Sequence, residues 1–209
     1  MEIKKEIMTK DNSEKARSGH YEIEIKAHVQ DEEKLRGKIG SLFGEGRSVN
    51  KSDLYFHRKG EKHQAFRIRR SNGVLEFTAK NTRADSLSEE NDEFEFFAPV
   101  TEEEKAGAFF ECLGYEPYFR KSKTGFDWDL VQGDIHVELL EVSGFRYGED
   151  TGVRNLGYFL EMEILIPFKE ASGDTLREKQ NKLHKVLHEL GLREEDIEMK
   201  SYRSMILGE

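Results

Sequence analysis

The 209-residue sequence predicts an α+β fold in which an antiparallel sheet closes into a β-barrel and amphipathic helices pack on its outside. Segment after segment alternates apolar and polar residues, which is the pattern of β-strands. Three further segments repeat their apolar residues at helical spacing. Acids concentrate on some strands and bases on others, which favours an enclosed polar interior over a sheet with one solvated face.

The composition excludes several classes of protein. The 33 basic and 42 acidic residues give a net charge of -9, so no overall field attracts nucleic acid or an anionic membrane. No run approaches the ~18 apolar residues that span a bilayer, and the first residues are charged where a signal peptide is apolar. The single cysteine, Cys112, excludes an internal disulfide and is expected in the core. We expect a cytoplasmic protein without nucleic-acid or membrane partners.

The chain is expected to form one domain behind a flexible leader. Residues 1–19 mix charges with Asn, Ser and Gly and show no periodicity, which is typical of a mobile segment. Residues 20–209 are long enough to bury one sizeable core. We therefore expect the fold and any site to lie within residues 20–209.

The predicted strands follow the apolar and polar alternation. Asn72 and Gly73 lie between two of them and favour a type I′ hairpin turn, whose two central residues need positive φ. Those two strands should therefore pair directly. The alternating segments are residues 21–28, 54–59, 65–70, 74–80, 93–98, 135–142 and 159–166.

Three amphipathic helices are predicted between the strands. Thr101 and Glu104 form a candidate capping box ahead of the second, and Gly114 and Gly191 follow the second and third. Each helix has one apolar stripe to bury. The stripes are Leu35, Ile39, Leu42 and Phe43; Ala106, Phe109, Phe110 and Leu113; and Leu176, Leu183, Val186, Leu187 and Leu190.

Charged residues share one face of several strands, because residues two apart in a strand point to the same side. For a single strand, a solvated polar face is the more frequent explanation. Several strands together favour an enclosed cavity, and acids with bases suit a metal-bridged polyanion. The acidic pairs are Glu22 and Glu24, Glu93 and Glu95, and Glu161 and Glu163; the basic residues are Lys26, Arg67, Arg69, Lys80, Lys121 and Lys123.

Four motifs together resemble the CYTH superfamily, the triphosphate tunnel metalloenzymes. This superfamily includes class IV adenylate cyclases, thiamine triphosphatases and inorganic triphosphatases. The resemblance extends from about His20 to the end of the chain. The motifs are Glu22-x-Glu24-x-Lys26, Phe66-Arg67-Ile68-Arg69, Phe77-Thr78-Ala79-Lys80 and the segment 156–163, which ends in Glu161-Met162-Glu163.

The resemblance implies an eight-stranded antiparallel tunnel that holds a triphosphate and two Mg²⁺ or Mn²⁺ ions. The implied metal ligands are Glu22, Glu24, Glu138, Glu161 and Glu163. The implied catalytic residues are Lys26, Arg67, Lys80 and Glu138. The implied substrate-binding residues are Lys26, Arg67, Arg69, Lys80, Glu93, Glu95, Lys121 and Lys123.

The sequence departs from the family pattern at three places. Glu138 stands where the family usually has Asp, and Glu141 is the weaker claimant to that role. Asn91 stands where the family often has Arg, for which Arg83 is a candidate replacement. Residues 145–155 look like an inserted loop.

His20-Tyr21 and the segment 200–203 resemble class IV adenylate cyclases most closely, which implies conversion of ATP to cyclic AMP and pyrophosphate. The alternative is a triphosphatase that hydrolyses thiamine triphosphate, tripolyphosphate or a nucleoside triphosphate. A second alternative is a module that binds polyphosphate or a nucleotide without reaction, and a homodimer is also considered. Tyr55 and Trp128 could stack on a purine, although packing is the more frequent role of such aromatics.

Overall fold

The computed structural model describes residues 20–209, except residues 62, 86–87 and 149–151. Within these ranges, the side chains of residues 20, 80–94, 130 and 168 are not described. The leader predicted for residues 1–19 lies outside the described residues.

Eight strands form one antiparallel sheet in the order β1-β8-β7-β6-β2-β3-β4-β5. All seven predicted strands are present, which confirms the α+β class and the antiparallel sheet. The strands are β1 (His20–Val29), β2 (Arg47–Arg58), β3 (Gln64–Ser71), β4 (Val74–Asp85), β5 (Ser88–Pro99), β6 (Tyr115–Val131), β7 (Ile135–Arg146) and β8 (Arg154–Pro167).

The sheet is not closed by hydrogen bonds among the described residues, so these bonds do not confirm the predicted closed barrel. Strands β1 and β5 are its two edges. Part of the free edge of β1 is taken by the C-terminal segment, where Ala27 pairs with Ile197 and the Glu198 N–H donates to the Lys26 carbonyl at 2.8 Å. These contacts use backbone groups of β1 that could otherwise pair with another strand.

The predicted hairpin between β3 and β4 is confirmed. Ser71 pairs with Val74, and the two residues between them have positive φ, 50° for Asn72 and 78° for Gly73. These are the signs of φ that a type I′ turn needs. By contrast, the expected inserted loop at 145–155 is shorter than predicted, because β7 continues to Arg146 and β8 begins at Arg154.

Four α-helices accompany the sheet, and three were predicted. They are α1 (Glu32–Phe43), α2 (Glu103–Cys112), α3 (Gly173–Glu189) and α4 (Tyr202–Leu207), with short 3₁₀ segments at Val100–Glu102, Phe168–Glu170 and Glu194–Asp196. The predicted capping box at Thr101 is wrong, because Thr101 lies in a 3₁₀ turn and α2 begins without a side-chain cap.

Apolar side chains on the outer face of the sheet pack under α1, α2 and α3 in two clusters. Trp128 belongs to one cluster, where its indole N–H donates to the Gly44 carbonyl at 2.9 Å, so its role is packing. Cys112 was expected in the core but is exposed, because it lies off the Ala106 and Phe110 stripe with which α2 contacts the sheet. A third cluster lies on the inner face, beneath α4.

Candidate functional site

Charged side chains collect on the inner face of the sheet because the strands pair in register. Glu24 of β1 lies opposite Glu163 of β8, and Lys26 lies opposite Glu161. Glu161 in turn lies opposite Glu138 of β7. Three neighbouring strands therefore bring their carboxylates together. We call Glu22, Glu24, Glu138, Glu161 and Glu163 the acidic group.

Two carboxylates of the acidic group have pKa values that their surroundings raise. Burial, together with the charges of Glu161 and Glu22, raises the pKa of Glu24. Burial and the charge of Glu22 raise the pKa of Glu163 to about 7. Repulsion between ionised carboxylates contributes to these raised pKa values, and a divalent cation bound between them would relieve that repulsion.

The other two buried carboxylates have lysine partners. Lys123 donates to Glu161 at 2.5 Å and lies 4.0 Å from Glu138, while Lys51 contacts the other oxygen of Glu138. Burial would raise the pKa of Glu161, but Lys123 outweighs it and holds the pKa below its usual value. The pKa of Glu138 falls to about 2, since the hydrogen bond from His136 and the charge of Lys123 outweigh burial. These two side chains are therefore anionic at neutral pH.

A second set of cations lies on β3 and β6, further from the acidic group. We call Arg67, Arg69 and Lys121 the basic group. Arg67 donates to Glu76 at 2.5 Å and to Thr78 at 2.9 Å, and its buried Nε makes no hydrogen bond within the described part of the chain. The acidic group thus lies on β1, β7 and β8 and the basic group on β3 and β6, and each group also has partners of the opposite charge.

Helix α4 covers part of the inner face with Tyr202. The Tyr202 ring lies 4.5 Å from the Lys26 ammonium, 5.2 Å from that of Lys123 and 5.3 Å from that of Lys121. Its hydroxyl and Oε1 of Glu161 are buried and make no hydrogen bond of normal geometry in the described ranges. The hydroxyl nevertheless lies close enough to the Glu161 carboxylate to lower the pKa of that group.

A cavity of about 380 Å³ touches Glu24 of the acidic group and Arg67 and Lys121 of the basic group. Tyr55 lines it and stacks on Phe119 with ring centroids 4.1 Å apart, so this tyrosine both packs and faces the cavity. Burial lowers the pKa of Lys26, which lies on the cavity wall. The charged residues that line the cavity are Glu24, Lys26, Arg67, Lys121 and Arg203.

The remaining predicted site residues are either exposed or have side chains outside the described residues. Glu22 and Glu95 are exposed, although Thr78 donates to Glu95 at 3.4 Å. Lys80 and Glu93 pair across β4 and β5 by their backbones. The side chains of Lys80 and Glu93, like those of Arg83 and Asn91, lie outside the described residues.

Glu138 and Glu141 lie on opposite faces of β7. Glu138 is buried beside Lys123 and His136 on the inner face. Glu141 is an odd number of residues away and accepts a hydrogen bond from Asn155 at 3.0 Å. Of the two claimants for the family aspartate, only Glu138 therefore adjoins Glu161.

The sequence analysis missed three inner-face residues that hold site residues, Lys51, Asp53 and His136. Asp53 accepts from Arg69 and Lys121, and His136 contacts Glu138 at 3.5 Å. Asp53 lies one residue before the predicted strand 54–59, so it was not recognised as sharing a strand face with Tyr55. His136 shares strand parity with Glu138, which is a signal that was present and not used.

Another group with metal-ligand chemistry lies at the end of β6. Atoms of Asp127, Asp129 and His136 lie within 4.8 Å of one another. Arg47 donates to Asp127 at 2.7 Å and 3.1 Å and also contacts Asp129. The guanidinium already neutralises both carboxylates, so a metal ion would have to displace it.

Comparison with protein families identifies this combination of sheet and charged inner face. The model of the CYTH domain matches residues 20–202. The chain therefore belongs to the CYTH family, whose members are metal-dependent and bind triphosphates. Comparison with curated proteins gave no significant match.

Several solved structures share the fold. A protein of Vibrio parahaemolyticus described as a candidate adenylate cyclase is 19% identical, with TM-score 0.64 over 91% of this chain and 99% of that chain. A protein of Pyrococcus horikoshii is 25% identical, with TM-score 0.61 over 89% of this chain and 99% of that one. A Hippeastrum protein described as a candidate adenylyl cyclase with a dominant triphosphatase activity is 14% identical, with TM-score 0.56 over 90% and 95%.

No helix among the described residues is both long enough and apolar enough to cross a membrane.

Proposed function

We propose that this protein is a metal-dependent enzyme that acts on triphosphates, with ATP cyclisation to cyclic AMP and pyrophosphate as its first candidate reaction. The observation that supports this best is a cavity lined by Glu24 and by Lys26, Arg67 and Lys121, beside the carboxylates that β1, β7 and β8 bring together. A metal-bridged triphosphate has matching parts, since metal ions need carboxylate oxygens and uncovered phosphate oxygens need cations.

The acidic group suits two Mg²⁺ or Mn²⁺ ions. Desolvation, with a smaller effect of neighbouring carboxylates, raises the pKa values of Glu24 and Glu163, and Oε1 of Glu161 makes no hydrogen bond of normal geometry within the described residues. Glu22 and Glu138 would complete the set. Divalent ions bound there would supply charge neutralisation at the phosphates and activate the attacking oxygen.

The chain's own cations are proposed to orient the carboxylates and to bind the phosphates. Lys123 and Lys51 hold Glu161 and Glu138 in fixed orientations. The basic group and Lys26 would bind phosphate oxygens, and electrostatic stabilisation of this kind dominates phosphoryl transfer. Lys80, Glu93 and Glu95 occupy neighbouring positions on β4 and β5 and are proposed to contribute to the same binding surface.

The inner face is proposed to form an enclosed tunnel. Lys121 and Lys123 are only 8% and 7% exposed, although lysine is rarely buried. Such burial is expected where a charged surface is surrounded by protein and is compensated by carboxylates or by a bound anion.

A triphosphatase is the second candidate, in which water attacks the terminal phosphorus. The Hippeastrum structure, described with a dominant triphosphatase activity, shares the fold and supports keeping this alternative. The same metals and cations would serve both reactions, and the orientation of the phosphate chain would decide between them.

Location and assembly are also proposed. One cysteine and a net charge of -9 support a cytoplasmic protein without a nucleic-acid partner. A homodimer is kept as a proposal, for which the exposed Phe96 and Phe109 offer apolar surface. Light scattering after size exclusion would test it.

The test of the proposed function is phosphorus NMR of ATP, thiamine triphosphate and tripolyphosphate, each incubated with Mg²⁺ or Mn²⁺. Cyclic AMP with pyrophosphate identifies a cyclase, and orthophosphate identifies a hydrolase. Glu161→Gln serves as the inactive control. If ligands bind and no product forms with any metal, the protein is a binding module and the enzyme proposal is wrong.

A further inference from the structure

Asp53 lies in the middle of the basic group. On one side it pairs in register with Arg69 of β3, and on the other with Lys121 of β6. Its Oδ1 accepts from the Arg69 Nε at 2.7 Å, and its Oδ2 accepts from the Arg69 Nη2 at 3.0 Å. The Lys121 ammonium lies 3.1 Å from the same Oδ2. A single carboxylate therefore holds two of the three cations in this group.

The carboxylate is almost inaccessible to water, with 1% of Asp53 exposed. A buried ion pair contributes little net stability compared with a packed apolar group, so stability alone is a weak reason for placing a carboxylate here. The arrangement has a second effect, which is geometric. The pair uses Nε and Nη2 of Arg69, so this guanidinium has one fixed orientation and Nη1 is the donor not used by the pair.

Asp53 also affects the charge of Lys121. Burial lowers the pKa of this lysine, while the neighbouring Tyr55 and Asp53 raise it above its usual value. Lys121 lines the cavity, so the ammonium that Asp53 holds would face a bound anion. At the same time, the negative charge of Asp53 offsets one of the two positive charges that it holds.

We infer that Asp53 is a positioning residue for the triphosphate, fixing Arg69 and Lys121 in place and limiting the net positive charge of the basic group. This inference rests on the proposed function. A negative residue among phosphate-binding cations should weaken anion binding, yet it keeps their donors in one arrangement. Its expected contribution is therefore to turnover and not to affinity.

The substitution Asp53→Asn tests this inference because it keeps the shape and removes the charge. We expect kcat to fall about tenfold or more, since Arg69 and Lys121 would no longer hold the triphosphate in the orientation that reacts. KM should stay the same or fall, and calorimetry without metal should show tripolyphosphate binding at least as tightly as in the wild type. Asp53→Glu, which restores the charge, should recover part of kcat.

Asp134→Asn is the matched control. Asp134 also accepts from two lysines, Lys179 at 2.6 Å and Lys182, but it lies away from the cavity. Its removal should leave kcat and KM unchanged. If Asp53→Asn behaves like this control, the inference is overturned; it is also overturned if KM rises as much as kcat falls.

The double variant Asp53→Asn/Arg69→Gln addresses folding, because it removes both members of the buried pair and leaves the net charge of the inner face unchanged. We expect this variant to bind tripolyphosphate more weakly than Asp53→Asn does, because Arg69 is lost, and to keep a reduced kcat, because Lys121 has lost its anchor. Wild-type kcat in this folded variant would overturn the inference. If the wild type itself neither binds nor converts any triphosphate, the proposed function fails and this inference fails with it.

Discussion

Lys123 of β6 donates to Glu161 of β8 at 2.5 Å, across the strand β7 that lies between them. This contact links β6 to a carboxylate whose side chain is only 12% exposed. It keeps Glu161 ionised, and it engages only Oε2, while Oε1 makes no hydrogen bond among the described residues. One oxygen is thus anchored, and the other can accept a cation.

Substitution of Glu138 should weaken metal binding, and substitution of Glu141 should not. Glu138→Gln removes an inner-face carboxylate beside Glu161, so we expect Mn²⁺ affinity to fall at least about tenfold. Glu141→Gln is the control because Glu141 contacts Asn155 on the opposite face. Electron paramagnetic resonance of free Mn²⁺ measures both. Equal affinities in the two variants would remove Glu138 from the acidic group.

Arg67 should contribute to anion affinity, whereas its neighbour Arg70 should not. Arg67→Gln removes a cation from the cavity wall, and we expect affinity for tripolyphosphate to fall about tenfold or more, the usual effect of losing a charged hydrogen bond. Arg70 is exposed and lies 3.6 Å from Glu103 outside the cavity. Calorimetry should show wild-type affinity for Arg70→Gln. The prediction fails if both variants lose affinity equally.

The stability contributed by Asp53 should depend on pH in one direction. Lys121 and Arg69 outweigh the effect of burial and hold the pKa of Asp53 well below the ~3.9 of an unfolded chain. A lowered folded pKa gives stability that is present above about pH 4 and decreases as the pH falls below it. Because removing one partner of a buried ion pair is costly, Asp53→Asn should lower the free energy of unfolding by about 3 kcal/mol at pH 7.

The free energy of unfolding should differ between the wild type and Asp53→Asn by about 1 kcal/mol less at pH 3 than at pH 7. Urea denaturation followed by circular dichroism at both pH values measures it. The more exposed Asp134→Asn should lose less than about 1 kcal/mol at pH 7. A difference between wild type and Asp53→Asn that grows on acidification would contradict the lowered pKa.

Two glycine substitutions should have opposite effects on the free energy of unfolding. A Cβ at Gly125 would lie 2.0 Å from the Leu139 carbonyl oxygen, so Gly125→Ala must move β6 away from β7. We expect a loss of about 1 to 3 kcal/mol. Gly107 in α2 has no atom within 4 Å of such a Cβ, and Gly107→Ala should gain roughly 1 kcal/mol from helix propensity. Thermal unfolding distinguishes the two.

Most of the fold was predictable because its strands face two different environments. Where one face is buried and the other polar, as in β1 and β8, the alternation is regular and the strand is evident. Strand β6 has polar residues on both faces at 121–124 and was represented only by Lys121 and Lys123. Helix α4 has six residues, too few for a helical period to be recognised.

The site was predictable as far as strand parity reaches. Strand parity placed Glu22 with Glu24 and Glu161 with Glu163, and the resemblance to the CYTH superfamily joined the two pairs, whose strands are neighbours in the structure. Asp53 could not be predicted in the same way, because its partners Arg69 and Lys121 come from two different strands. Which strands adjoin β2 depends on sheet order, which the local sequence pattern does not specify.

Trp128 offers an optical consequence. The chain has one tryptophan, and it is packed in the outer core against α1 and α3, on the opposite face of β6 from Lys121 and Lys123. Intrinsic fluorescence excited at the indole should therefore report loss of tertiary structure and respond weakly to occupancy of the cavity. A variant that unfolds could then be distinguished, by tryptophan fluorescence, from a folded variant that binds its ligand poorly.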